Sequence, residues 1–244
     1  MRNVVVTGAS RGLGLAIAKK LAAAGYAAIA VARKEGAELA EAIAAASRSR
    51  PDAIRFTAFD LADIEGIPRF VATLRKRFGP IHGLVNNAAL GTDGALSLMQ
   101  NSKIEQLVHL NTLSPIVLTK YVVRAMMADG GGRIVNVASI VAATGYSGLS
   151  VYAATKASMV GFTRSLAREV GRMGVNVNAV APGFLDTEMT QALADDGRAK
   201  VARRSALRRL ATVDEVADAV EFLLGDKAAS VTGTVLTVDA GSTA

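Results

Sequence analysis

The chain has 244 residues, 51% of them apolar, a formal net charge of +7, and no cysteine. No apolar run approaches the roughly 20 residues of a membrane span, so none is expected, and the missing cysteines exclude disulfides, thiolate–metal sites and a cysteine nucleophile. With only His82 and His109 as imidazoles, a histidine metal site or Ser–His triad is not expected; the positive charge suits acidic partners, or serves solubility alone.

In chain order, short aliphatic or β-branched runs read as strands over Val4 to Thr7, Ala28 to Ala32, Ile54 to Ala58, Gly83 to Asn86, Arg133 to Ala138, Val175 to Ala181 and Val235 to Val238. Between them, amphipathic or Ala-rich stretches read as helices over Leu13 to Ala24, Ala37 to Ala46, Ile64 to Phe78, Ile104 to Met127, Val151 to Val170 and Val213 to Leu224. Alternation of apolar strands with crossover-length helices predicts a doubly wound α/β fold: a seven-stranded parallel sheet with helices on both faces, in a single domain spanning residues 1–244. Residues 184–211 carry little strand signal and read as a lid over a substrate site. The apolar run Val4-Val5-Val6 opens directly into a Gly-rich turn without a signal-peptide cleavage site, so the chain is expected in the cytoplasm.

The first strand runs into Thr7-Gly8-Ala9-Ser10-Arg11-Gly12-Leu13-Gly14 and then a helix. Glycines between a strand and a helix N-terminus let backbone approach a pyrophosphate, a Rossmann-like cradle; alone, such a turn can also merely allow tight helix–strand packing. The second strand ends at Ala32-Arg33, where a dinucleotide fold that prefers NAD commonly carries an acidic residue. Arg33, with Arg11 in the turn, favours a 2′-phosphate and therefore NADP; otherwise Arg33 is a solvated residue beginning a loop. Asp60, followed by Leu61, either accepts from an adenine amino group or caps the next turn.

Tyr152 and Lys156 are spaced i, i+4 at the start of a predicted helix, so both project from one face. A free phenol has a pKa of about 10, and a nearby ammonium favours its ionisation. Ser139 follows the fifth strand, where the carboxyl ends of the sheet gather around a ligand. The plain alternatives are a packed ring beside a solvated lysine, and a turn serine.

Taken together, the Gly-rich turn, Asn86-Asn87-Ala88-Ala89, Asn111, Ser139, Tyr152-Ala153-Ala154-Thr155-Lys156 and Pro182-Gly183 resemble, in order and over essentially the whole chain, the short-chain dehydrogenase/reductase family. The closer resemblance is to bacterial 3-oxoacyl-[acyl-carrier-protein] reductases, through Ser165 to Val170, Val180 to Phe184, Thr187 to Thr190 and the ending Thr232-Gly233 to Gly241. The resemblance implies that Tyr152 gives a proton to a carbonyl oxygen held by Ser139, that Lys156 binds the nicotinamide ribose and lowers the tyrosine pKa, and that Asn111 positions a water linking Lys156 to solvent. It also implies a cofactor site of Gly8, Ser10, Arg11, Gly12, Leu13, Gly14, Arg33, Asp60, Leu61, Asn87, Ala88, Tyr152, Lys156, Pro182, Gly183, Leu185 and Thr187. Ala89 stands where the family usually has glycine, so the backbone there is expected to be slightly less free.

The expected activity is NADPH-dependent reduction of a 3-oxoacyl thioester. Alternatives are reduction of another small ketone on the same apparatus, and a non-enzymatic NADP-sensing or nucleic-acid-binding protein that would not need Ser139, Tyr152, Lys156 and Asn111 intact. Neither a nucleic acid nor a membrane is an expected partner. An acidic carrier protein would meet Arg124, which matches a carrier contact of related reductases, Arg172 beside Met173, and the basic run Arg198, Lys200, Arg203, Arg204, Arg208 and Arg209; otherwise that run is a solvated helix face. Apolar outer faces on Ile104 to Met127 and Val151 to Val170 predict a homo-oligomer, and the resemblance implies a tetramer. His82, His109, Met126, Met127 and Met189 are read as packing or solvated residues.

Overall fold

In a computed structural model that describes residues 1–91, 93–185 and 201–244, seven strands form one parallel sheet in the order β3-β2-β1-β4-β5-β6-β7. The strands are β1 (Asn3–Thr7), β2 (Ala27–Ala32), β3 (Ile54–Ala58), β4 (Ile81–Asn86), β5 (Gly132–Val137), β6 (Val175–Pro182) and β7 (Val235–Val238). All lie within two or three residues of their predicted bounds. Because β1, β2 and β4 to β6 are covered on both faces, nearly every position in them is buried, and asparagines among them, such as Asn86, Asn136 and Asn178, carry hydrogen bonds.

The α-helices that pack around the sheet are α1 (Gly12–Ala23), α2 (Ala37–Ser49), α3 (Ile67–Phe78), α4 (Asn101–Val108), α5 (Ser114–Ala128), α6 (Val141–Thr144), α7 (Ser150–Val170) and α8 (Val213–Leu224). One core layer joins α1, α2 and α8 to one face of the sheet through Ile17, Leu21, Leu39, Val216 and Val220. The other joins α3, α5 and α7 to the opposite face through Phe70, Leu74, Leu118, Val122 and Leu166. None of the described helices is long and apolar enough to cross a membrane.

The single helix expected from Ile104 to Met127 is corrected: α4 and α5 are separated by a π-helical turn over His109–Leu113. Residue 115 is a proline, which has no N–H to give the carbonyl of Asn111 at the α-helical i+4 position. The ladder therefore loosens by one residue at Asn111, and such π turns recur at functional sites.

The expected lid, 184–211, is described only at its edges. Leu185 bridges Ala211 in parallel, residues 201–204 are helical, and residues 186–200 lie outside the described residues.

Candidate active site

The carboxyl ends of β1, β4, β5 and β6 converge on one edge of the sheet, where strand order reverses between β1 and β4. Such a switch point opens a crevice for a ligand. The loops that line it are locked by Thr7, whose hydroxyl accepts from the N–H groups of Asn87 (2.9 Å) and Ala88 (3.0 Å) and donates to the carbonyl of Val85 (3.2 Å). The Asn87 amide returns the tie by donating to the carbonyls of Thr7 (2.9 Å) and Gly8 (3.3 Å). Asn87 thus shapes the cradle from behind.

Two glycines of the turn are there because nothing larger fits. A Cβ on Gly14 would lie 2.3 Å from the Gly8 carbonyl oxygen, and one on Gly8, which has φ +66°, would lie 2.9 Å from the Ala88 Cα. Gly12 differs: its φ is +55°, yet a Cβ there would meet no atom within 4 Å. Its side faces open space at the start of α1, a helix with no side-chain N-cap and no acid in its first turn. The orphan N–H groups of Gly12, Leu13 and Gly14 are therefore suited to an anion.

The loop after β2 stands against this turn, since a Cβ on Gly36 would come within 3.9 Å of the Ser10 carbonyl oxygen. Arg33 and Arg11 are both exposed along the same edge. Asp60 accepts from the N–H of Ala62 (3.0 Å), so it caps the turn after β3 while remaining exposed. Leu61 is buried in the core layer with Phe70. Ala89 is not among the residues with positive φ, so the expected stiffness at that position carries no backbone strain.

The remaining candidates come from α7, β5, β6 and the π turn. Tyr152 and Lys156 sit in the first turns of α7 and face the end of β5. Lys156 is 4% exposed, and its Nζ donates to the carbonyl of Val137 (2.8 Å) while lying 5.7 Å from the centroid of the Tyr152 ring. Ser139 lies just beyond β5, where its Oγ accepts from the N–H of Val141 (3.4 Å) and acts on the Tyr152 phenol to lower its pKa. Pro182 ends β6, and its carbonyl accepts from the N–H of Ile140 (3.0 Å), which draws Gly183 beside Ser139. A Cβ on Gly183 would lie 2.7 Å from that of Asp239, so only glycine lets this turn close on the end of β7.

Burial pushes the Lys156 ammonium down from 10.5 to about 8. Burial also raises the Tyr152 phenol, and Ser139 works in the opposite direction with less effect. The sequence reading expected a tyrosine pKa lowered by lysine. With protein groups alone the balance runs the other way, because the phenol is largely desolvated. Tyr152 therefore rests as an acid at neutral pH.

Asn111 is 2% exposed and its amide is fully engaged: Oδ1 accepts from the N–H of Leu90 (2.8 Å), and Nδ2 donates to the carbonyl of Leu90 (2.8 Å) and to Thr155 Oγ1 (3.2 Å). Thr155 in turn donates to the carbonyl of Tyr152 (2.8 Å). The sequence reading quoted Thr155 only as a letter within the Tyr152–Lys156 stretch; a hydroxyl flanked by two candidate residues was the available signal.

Among the remaining candidates, Leu185 sits at the edge of the described lid and Thr187 lies outside the described residues. Arg198 and Lys200 of the basic run also lie outside them. Of the others, Arg209 is clamped to Glu215 (2.6 and 2.9 Å), which caps α8 through Thr212 and is held down to about 2 by Arg209 first and the Thr212 N–H second. The Arg208 guanidinium turns back to the carbonyl of Arg203. Arg124 and Met173 line a groove of about 410 Å³ between α5 and α7. His82 lies at the opposite end of the sheet, stacked on Tyr26 at 6.1 Å. No cluster among the described residues could hold a metal.

Comparison with known proteins agrees with this geometry. The family described as short chain dehydrogenase matches residues 2–198. The 3-oxoacyl-[acyl-carrier-protein] reductase FabG of Escherichia coli (strain K12) is 41% identical over 237 residues, 97% of this chain and 95% of the relative. The protein of the same name from Pseudomonas aeruginosa is 38% identical over 97% of this chain and 95% of its own length. Among solved structures, a gluconate 5-dehydrogenase from Burkholderia cenocepacia J2315 in complex with NADP and tartrate superposes with a TM-score of 0.92 at 30% identity, covering 99% of this chain and 95% of that one. A short-chain type dehydrogenase/reductase from Mycobacterium ulcerans gives 0.92 at 29%, covering 99% and 89%.

Proposed function

The chain belongs to the short-chain dehydrogenase family and is an oxidoreductase acting on CH–OH and C=O groups, and on that premise we propose that it uses NADPH to reduce a 3-oxoacyl thioester to the 3-hydroxyacyl product. The observation that carries the reading is the placement of Tyr152 with its ring 5.7 Å from the Nζ of the buried Lys156, which is anchored on the Val137 carbonyl at the carboxyl end of β5, two residues before Ser139. The site offers a proton donor and a second hydroxyl, which a carbonyl oxygen undergoing reduction requires.

A nicotinamide dinucleotide fits the residues present. The open side of Gly12 and the uncapped N-terminus of α1 would receive the pyrophosphate, Arg11 and Arg33 the 2′-phosphate, and Ser10, Asp60, Leu61, Asn87 and Ala88 would line the adenosine side. Pro182, Gly183, Leu185 and Thr187 would border the nicotinamide. When bound, NADPH supplies the hydride. The protein's share is positioning and protons. Ser139 donates to the carbonyl oxygen, Tyr152 transfers its proton to that oxygen as charge develops, and Lys156 steadies the phenolate left behind and holds the ribose. Because the Asn111 amide is consumed by Leu90 and Thr155, the water that returns a proton towards Lys156 would be held by the Asn111 main-chain carbonyl in the π turn, opposite Pro115.

The relatives named FabG support the acyl-carrier-protein thioester, delivered in the cytoplasm. Arg124, with Arg172 next to Met173, would meet that acidic partner. Arg208 and Arg209 are engaged within the fold, so the basic run contributes less than its density suggests. The groove lined by Ile116, Val123, Met127, Phe162 and Leu166 would be covered by a second copy in a homotetramer, which light scattering checks. A second reading, oxidoreduction at a sugar acid, is favoured by the similarity to a gluconate 5-dehydrogenase that binds NADP and tartrate. Following NADPH absorbance with an acetoacetyl thioester, 5-ketogluconate and simple ketones decides between them: the thioester should be reduced with the highest kcat/KM, and a preference for the sugar acid would overturn the thioester reading.

A further inference from the structure

We propose that Tyr146, packed edge-on against Phe184, is a specificity-determining residue that selects substrates by the length of their aliphatic chain. This rests on the carbonyl-reductase reading of the site. The two rings meet with centroids 5.4 Å apart at an interplanar angle of 60°. Tyr146 lies in the loop between α6 and α7, after Ser139 and before Tyr152. That loop is fixed by positive φ at Gly145 (+68°) and Gly148 (+81°) and by a hydrogen bond from the N–H of Leu149 to the Tyr146 carbonyl (3.1 Å). Phe184 leaves the end of β6 directly after Gly183. The ring pair therefore joins the loop that follows Ser139 and α6 to the residue that follows Gly183.

The pair is incompletely covered. Tyr146 is 52% exposed. An amphipathic ring in that state presents a rigid apolar face at low conformational cost. The neighbouring loop adds to it. Gly94 donates its N–H to the carbonyl of Gly148 (3.0 Å), which ties the Tyr146 loop to the segment bearing Leu96 and Leu98, the latter 84% exposed. Exposed apolar side chains on loops tied together beside a polar cleft suit a surface that meets a ligand. Ser139, Tyr152 and Lys156 take the polar carbonyl end of a substrate; the Tyr146–Phe184 face suits several methylenes next to it. Each methylene withdrawn from water is worth up to about fourfold in affinity.

The test uses the NADPH-loaded protein and calorimetric titration with N-acetylcysteamine thioesters of saturated acids from butyryl to octanoyl, which bind but lack the reducible 3-oxo group. In the wild type, affinity rises about two- to fourfold per methylene. Tyr146→Phe keeps that slope, whereas Tyr146→Ala and Tyr146→Ser flatten it below about 1.5-fold per methylene and leave butyryl affinity and NADPH affinity within about twofold. Unchanged NADPH affinity shows that the variants are folded. Equal slopes in wild type and Tyr146→Ala, or wild-type binding that is absent or independent of chain length, overturns the assignment. If the slope behaves as expected but no 3-oxoacyl thioester is reduced, the proposed reaction fails and the assignment of Tyr146 stands.

Discussion

Lys156 donates its ammonium to the main-chain carbonyl of Val137 across 2.8 Å, so the buried charge of α7 is anchored on the end of β5. A depression from 10.5 to about 8 corresponds to roughly 3 kcal/mol of burial penalty at about 1.4 kcal/mol per pK unit.

The sign of its pH dependence follows. Below about pH 8 the lysine is charged in both folded and unfolded chains and the penalty is fully present. Between about 8 and 10.5 the unfolded chain still binds the proton that the folded protein has released, so stability rises with pH. Lys156→Met lacks this group and the bond to Val137. The stability of wild type relative to the variant should increase by roughly 2–3 kcal/mol between pH 7.5 and pH 10 in denaturant titrations. A difference that is constant across that interval would show that Lys156 is not desolvated in solution.

The glycines of the cradle separate packing from binding. Gly14→Ala drives a Cβ to within 2.3 Å of the Gly8 carbonyl oxygen and should cost about 3 kcal/mol or more, lowering Tm by roughly 6–12 °C. Gly12→Ala meets no atom but keeps a φ of +55°, at a cost of about 1–2 kcal/mol, while NADPH affinity falls at least about tenfold because the added methyl occupies the open side. Thermal melts and cofactor titration on both variants check this. Equal cofactor loss per degree of Tm in the two variants would remove the distinction.

For cofactor choice, Arg33 is exposed beside the Gly-rich turn and screened by solvent. Arg33→Asp should lower kcat/KM for NADPH by about tenfold or more and leave NADH nearly unchanged, through lost pairing and new repulsion of the 2′-phosphate. The loss should shrink as salt is raised. A wild-type protein with equal kcat/KM for both cofactors would contradict the NADP assignment.

Much of this was legible in the sequence because the relevant signals are local. Fully apolar runs such as Val4-Val5-Val6 bounded by glycine mark buried parallel strands, and the i, i+4 spacing of Tyr152 and Lys156 survives unchanged on α7. The π turn was not legible. The apolar period runs through His109–Leu113 without a break, and one inserted residue in a ladder leaves no mark on a pattern of 3.6 residues per turn. Likewise, Asn86, Asn136, Thr119 and Thr163 form a buried hydrogen-bonded chain at 2.8 Å per link joining β4, β5, α5 and α7. Nothing in the spacing of those four residues announces it, because it depends on which strands become neighbours. The burial that raises the Tyr152 phenol was not legible for a similar reason, since it depends on which elements close over α7.

The most direct test of the account is Tyr152→Phe, which removes one hydroxyl and leaves the ring against Lys156. NADPH affinity should stay within about twofold of wild type while turnover of an acetoacetyl thioester falls by about 10²–10⁴, the contribution of one positioned proton donor. Turnover within tenfold of wild type, with cofactor binding intact, would contradict the claim that Tyr152 supplies the proton.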